Sequence, residues 1–116
     1  MNDLQLQIKT YLYNCGVRPH LKGFRALVYA IGLCLDDEDY LFGVCKGLYC
    51  DVGVMMGISG KAVERNIRVA IMRACDHNSH IADVVGFWPE GRAASYPNMH
   101  FIAAAVENLR RDWRRK

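Results

Sequence analysis

The chain has 116 residues, 52% of them apolar and 23% charged, with a formal net charge of +3. Those figures fit one domain over residues 1–116 with a real hydrophobic core, and they exclude bulk disorder and any need for disulfides or a structural metal. No apolar run approaches the roughly 18–20 residues of a membrane span. The opening residues, Met1 to Lys9, also lack the apolar core of a secretory signal, so a cytoplasmic protein without membrane contact is expected.

Helical spacing dominates from the start. A first helix is expected over Asp3 to Cys15, with Leu4, Ile8, Tyr11 and Leu12 on one face, ended by Gly16 and kept from continuing by Pro19. A second runs from about Lys22 to Leu35, with Phe24, Leu27, Val28, Ile31 and Leu35 at core spacing. The acidic run Asp36 to Asp39 then reads as the N-cap and negative first turn of a third helix, where carboxylates meet the partial positive charge of the helix start. A carboxylate metal or acid/base site is the weaker reading, since four adjacent acids cannot face one point from a helix.

After residue 48 a shorter helix, a glycine turn and a long helix from about Gly60 to Cys75 are expected. A short helix fits His80 to Gly86, Pro89 to Pro97 reads as an irregular loop, and a last helix fits Asn98 to Arg114. Phe101, Ile102, Ala105, Val106, Leu109 and Trp113 form the inner face of that last helix. The fold class is therefore all-α, a compact bundle of about six helices.

The stretch Val52-Gly53-Val54-Met55-Met56-Gly57-Ile58 carries the pattern of a helix-turn-helix. Gly53 is the small contact, Gly57 the turn glycine with positive φ, and Val52, Met56, Ile58 and Val63 lock the pair. Asn66 stands at a position usually apolar, and Ile67 takes over its packing role. At about 100° per residue, Val63, Ile67, Ala70, Ile71 and Ala74 cluster on one side of the long helix, with Lys61, Glu64, Arg65, Arg68 and Met72 opposite.

Arg donates bidentately to guanine, Glu accepts from cytosine N4, and Lys attracts phosphate, so this face has the chemistry to read duplex DNA. The plainer reading is a solvated face in which Glu64 pairs with Arg68. Ser59 at the helix start and Lys22 at the start of the second helix complete the candidate DNA-binding set.

Five blocks in order extend the pattern across the chain: Gly16-Val17; His20-Leu21-Lys22-Gly23-Phe24; Leu48-Tyr49 with Asp51; Val63-Glu64-Arg65-Asn66-Ile67-Arg68-Val69-Ala70-Ile71; and Phe101-Ile102-Ala103 with Asn108-Leu109-Arg110. With these the chain resembles the C-terminal effector domain of the sporulation-initiation response regulator family, from Ile8 to Arg111. The resemblance implies a six-helix domain whose third and fourth helices form the helix-turn-helix. It also implies binding to short boxes with a TGTCGAA-like core, often as tandem dimers, in the control of transcription. Glu64, Arg65 and Arg68 match the family's base- and phosphate-contacting positions.

Lys61 stands where the family usually has Ser, Ala62 where it has Arg, and Val69 where it has His. The change at Ala62 removes a DNA contact, and Lys61 restores charge one residue earlier. No receiver domain precedes Met1, which leaves an excised effector domain or a stand-alone protein not switched by phosphorylation.

No enzymatic role, cofactor or metal is expected. Cys75, His77 and His80, with the Cys45–Cys50 pair, match zinc-ligand spacing only in part, and the five cysteines read as free thiols. His20 reads as a structural histidine bonding backbone, and Trp88 and Tyr96 as packing residues, an exposed Trp88 pointing instead to a protein contact. The basic end Arg110, Arg111, Arg114, Arg115 and Lys116 adds a non-specific attraction for DNA. Double-stranded DNA is the expected partner, with RNA polymerase and a second copy on tandem sites as further candidates. The competing expectation is a helical module that binds polymerase or another regulator, through the fifth helix and the loop around Trp88.

Overall fold

In the computed structural model, residues 2–42, 47–88 and 95–114 are described, with positions 113 and 114 described in backbone only. Cys45, the loop from Pro89 to residue 94, the inward placement of Trp113 and the tail cations Arg114, Arg115 and Lys116 lie outside the described residues or side chains. The described chain forms six α-helices and a short 3-10 segment, with no strand among the described residues. The helices are α1 (Asp3–Cys15), α2 (Lys22–Asp36), α3 (Leu48–Met56), α4 (Gly60–His77), α5 (Ile81–Val85) and α6 (Asn98–Arg114).

Local chemistry sets most of these ends. Asn2 caps α1 by accepting from the Gln5 amide at 2.8 Å, and Gly16 closes it at φ 89° with its amide turned back onto the last turn. Gly86 does the same for α5 at φ 108°. The interior is one apolar cluster drawn from every α-helix. Ile8 and Leu12 of α1, Leu27 and Ile31 of α2, Ile67 and Ile71 of α4, and Phe101 and Ile102 of α6 are all fully enclosed.

α2 is the spine, packed against α1, α3, α4 and α6. Its approach to α4 depends on Gly23: a methyl group there would lie 2.1 Å from the Asn66 carbonyl oxygen and 2.5 Å from the Ala70 methyl. Ile67 is fully buried beside the half-buried Asn66, as the sequence pattern implied.

The acidic run departs from expectation. Asp36 closes α2, and the segment that follows is a five-residue 3-10 helix, Glu38–Phe42, rather than an α-helix. The Asp37 carboxylate accepts from the Asp39 amide at 3.0 Å, so it does cap, but what it starts is this short 3-10 segment. Glu38 is drawn aside into an ion pair with Arg110 of α6, and Arg110 also donates to the Leu35 carbonyl at 3.3 Å, satisfying the end of α2. That part of the basic tail is therefore committed to packing helix on helix.

Two asparagines hold the far end together. Asn78, after α4, donates to the carbonyls of Asn14 and Cys15 at 3.3 and 3.0 Å, which ties α4 to the end of α1. Asn108 of α6 donates to the Tyr11 hydroxyl at 2.9 Å and to the carbonyls of Val84 and Val85 at 3.2 and 3.0 Å. Tyr96 is buried and its hydroxyl donates to the Phe87 carbonyl, with the Phe87 ring edge-on at 5.3 Å. Trp88 is not a packing residue: it is 65% exposed beside a half-exposed Phe87. His20 is exposed in the α1–α2 turn.

Candidate nucleic-acid interface

α3 and α4 are joined by only Gly57, Ile58 and Ser59. Gly57 ends α3 at φ 72°, ψ 32°, in the left-handed region that other residues enter at a cost. Gly53, one turn earlier, is buried against the turn itself, where a methyl would lie 2.4 Å from the Ile58 carbonyl oxygen. The Ile58 amide donates to the Gly53 carbonyl at 2.9 Å and locks this close passage. Val52 and Val63 are fully buried across the turn, and Met56 and Ile58 partly so.

Ser59 then caps α4, its hydroxyl accepting from the Ala62 amide at 3.1 Å. The oxygen lies at the helix start, but its acceptor role is already taken by the helix.

α4 has 18 residues, a rod of about 27 Å at 1.5 Å per residue. Val63, Ile67, Ala70, Ile71 and Ala74 face the core, and Lys61, Arg65, Arg68 and Met72 are exposed on the other side, with Glu64 half-buried at its margin. Glu64 and Arg68 are paired, Nε to Oε1 at 3.1 Å, while Lys61 and Arg65 have no carboxylate partner among the described residues.

Both flanks of this face are walled. On one side, Leu21, Lys22 and Gly23 at the start of α2 line a groove with Ala62, Arg65 and Val69, which brings Lys22 beside the α4 face. On the other, the segment from Ser95 to His100 lines a groove with Tyr49, Glu64, Arg68 and Met72. Asn98 fastens that wall by donating to the Glu64 carbonyl at 3.1 Å. Sequence reasoning missed this wall. An asparagine opening a helix signals a cap, and nothing local says that its amide serves α4 instead.

The structure thus gathers five of the six candidates, Lys22, Lys61, Glu64, Arg65 and Arg68, around one convex helix face, with Ser59 at its end. Among the described residues no group of three or more His, Cys, Asp or Glu side chains could hold a metal ion. His80 instead faces Asp83 at 3.6 Å on the surface.

A family model described as sporulation initiation factor Spo0A C terminal matches residues 8–109. The chain belongs to this family. The match takes in α2 to α5 whole and most of α1 and α6, including both flanking walls. The Spo0A C-terminal family is one of DNA-binding effector domains acting in transcription regulation, not a catalytic one, so this chain is in general terms a DNA-binding regulator. Among the described residues no helix is long and apolar enough to cross a membrane.

Proposed function

We propose that this domain reads a specific duplex sequence by laying α4 in the major groove. Arg65 and Arg68 donate to guanine edges, Glu64 accepts from cytosine, and Lys61, Lys22 and the Ser59 hydroxyl meet phosphates. The observation that carries the reading is the α4 face itself: cations on its exposed side, backed by an apolar face in the core and walled on both sides at its base. An ordinary solvated helix needs neither the tight turn at Gly53 and Gly57 nor Lys22 brought in from another helix.

The residues 1–116 act as one unit in this reading, in the cytoplasm where the DNA is, with a second copy on tandem sites and contact to RNA polymerase as its transcriptional context. The test is a salt titration on duplexes carrying a TGTCGAA-like box or a scrambled one. Specific recognition gives a box preference of roughly tenfold or more, about 1.4 kcal/mol, with affinity falling steeply as salt rises. Arg65→Ala with Arg68→Ala abolishes the preference; an unchanged preference in that variant sinks the residue roles.

A second reading rests on Trp88 and Phe87, exposed in succession after α5. An aromatic pair so placed suits a protein partner, polymerase or another regulator. Salt-insensitive binding to such a partner, with no duplex preference, favours this reading over DNA readout.

A further inference from the structure

We infer that the start of α2 is a second DNA-backbone contact, with Arg25 extending the Lys22 contact onto duplex that flanks the segment read by α4. The inference rests on the proposed role of α4. Lys22 and Arg25 stand three residues apart on α2 and are both exposed, so they share one outward face of its first turns. Lys22 lines the groove that Arg65 lines from α4. Arg25, one turn further on, lines the neighbouring groove between α1 and α2 with Gln5 and Tyr13. The cations thus run from α4 across the start of α2 and away from the face that Gly23 packs on α4.

Arg25 is also held in place. Its guanidinium lies over the Tyr29 ring at 5.8 Å, with Nε and Nη2 both 3.4 Å from the Tyr29 hydroxyl, and no carboxylate pairs with it among the described residues. A guanidinium held this way keeps its charge and its remaining Nη hydrogens for another acceptor, with less freedom to lose on binding.

Charge along α2 is polarised in the same sense. Its cationic start packs against the middle of α4 through Gly23, and its exposed acids, Asp36 and Asp37, lie at the other end. Over 15 residues that separation is about 22 Å. A polyanion approaching α4 therefore meets cations on the α2 shoulder while the acids stand away from it. A phosphate backbone running past Arg65 is the partner this arrangement suits.

The experiment measures affinity against salt for wild type, Arg25→Gln and Arg25→Lys, on box and scrambled duplexes that either end at the box or run about five base pairs beyond it. Each lost phosphate contact lowers the log–log salt slope by about one. The expected result is that Arg25→Gln loses one unit of slope and weakens both extended duplexes by a similar factor, that Arg25→Lys restores the slope, and that the blunt-ended duplex shows no difference. An unchanged slope for Arg25→Gln on the extended duplex overturns the inference, as does an equal loss on blunt and extended DNA. Box preference separates the two claims: its loss in the Arg65 and Arg68 variant concerns α4, whereas the slope on flanking DNA concerns Arg25. If wild type binds no duplex in a salt-dependent way, both fall.

Discussion

The Asn66 carbonyl oxygen lies 2.1 Å from where a side chain at Gly23 would begin, so α2 and α4 meet backbone to backbone. Neither side can yield cheaply, because the obstructing atom belongs to a helix and not to a flexible side chain. Gly23→Ala is expected to cost at least the 1–3 kcal/mol typical of overpacking, and to weaken DNA binding by moving Lys22 away from Arg65. Gly32, in the same helix, meets only Ile8 Cδ1 at 3.9 Å. Gly32→Ala should therefore stabilise by about 0.5–1 kcal/mol through the unfolded chain and helix propensity. Urea melts of the two variants check the contrast, and equal effects at the two sites would show that the α2–α4 contact is not tight.

The turn glycines separate by the same reasoning. Gly57 needs its positive φ but has nothing within 4 Å of an added Cβ, so Gly57→Ala meets only the left-handed penalty, about 1–2 kcal/mol. Gly57→Asn should cost less, since asparagine tolerates that region. Gly53→Ala drives a methyl into the Ile58 carbonyl at 2.4 Å and must shift α3 against α4. Its melting point should fall furthest of the three, and its duplex affinity should fall more than stability alone explains. Affinity measured well below each melting point tests this; equal affinities would mean the turn does not set the pose of α4.

Those turn residues were legible in the sequence because the requirement is local: a small residue, three more, then a glycine. The spans of α1 and α6 were legible for a similar reason, with Gly16 and Pro19 stopping one and an unbroken apolar stripe from Phe101 to Leu109 running through the other. What failed was set by distant partners. Asp36 to Asp39 carries the composition of an α-helix start, but Arg110, more than seventy residues on, takes Glu38 and the Leu35 carbonyl, and the chain leaves α2 through a short 3-10 segment. Asn78, Asn98 and Asn108 each donate to backbone on another element, which nothing in their local sequence signals. The wall beside Glu64 and Arg68 was hidden for that reason.

The buried thiols make stability depend on alkaline pH. Burial pushes Cys15 up to about 12 and Cys34 up to about 11, against an ordinary thiol value of 9.0. In the folded protein both stay protonated while the unfolded chain ionises, so stability is fully present below pH 9 and is lost as pH rises toward 11 and 12. The loss at pH 10 should be on the order of 1 kcal/mol per thiol. Urea midpoints should be flat from pH 7 to 8 and fall between 9 and 10.5, and Cys34→Ala, whatever its absolute stability, should show a shallower fall. A midpoint that holds constant to pH 10.5 would contradict the burial of these thiols.

Glu64 tests whether the α4 face reads bases or merely solvates itself. Its ion pair with Arg68 leaves the side chains 41% and 54% exposed, so removing it should change stability by no more than about 0.5 kcal/mol. On DNA the carboxylate has two effects that a solvated pair lacks. It supplies the acceptor for a cytosine amine, and it offsets one of the cations that would otherwise attract phosphate. Glu64→Ala should therefore relax discrimination at one base pair by about 1–3 kcal/mol, while binding to scrambled duplex becomes tighter and more salt-dependent as Arg68 is released. Competition binding against single-position box variants, run beside a thermal melt, reads both quantities. Relaxed preference with an unchanged melt identifies Glu64 as a base reader, whereas an unchanged preference with a lowered melt would leave the pair a surface bridge and shift the reading of bases onto Arg65.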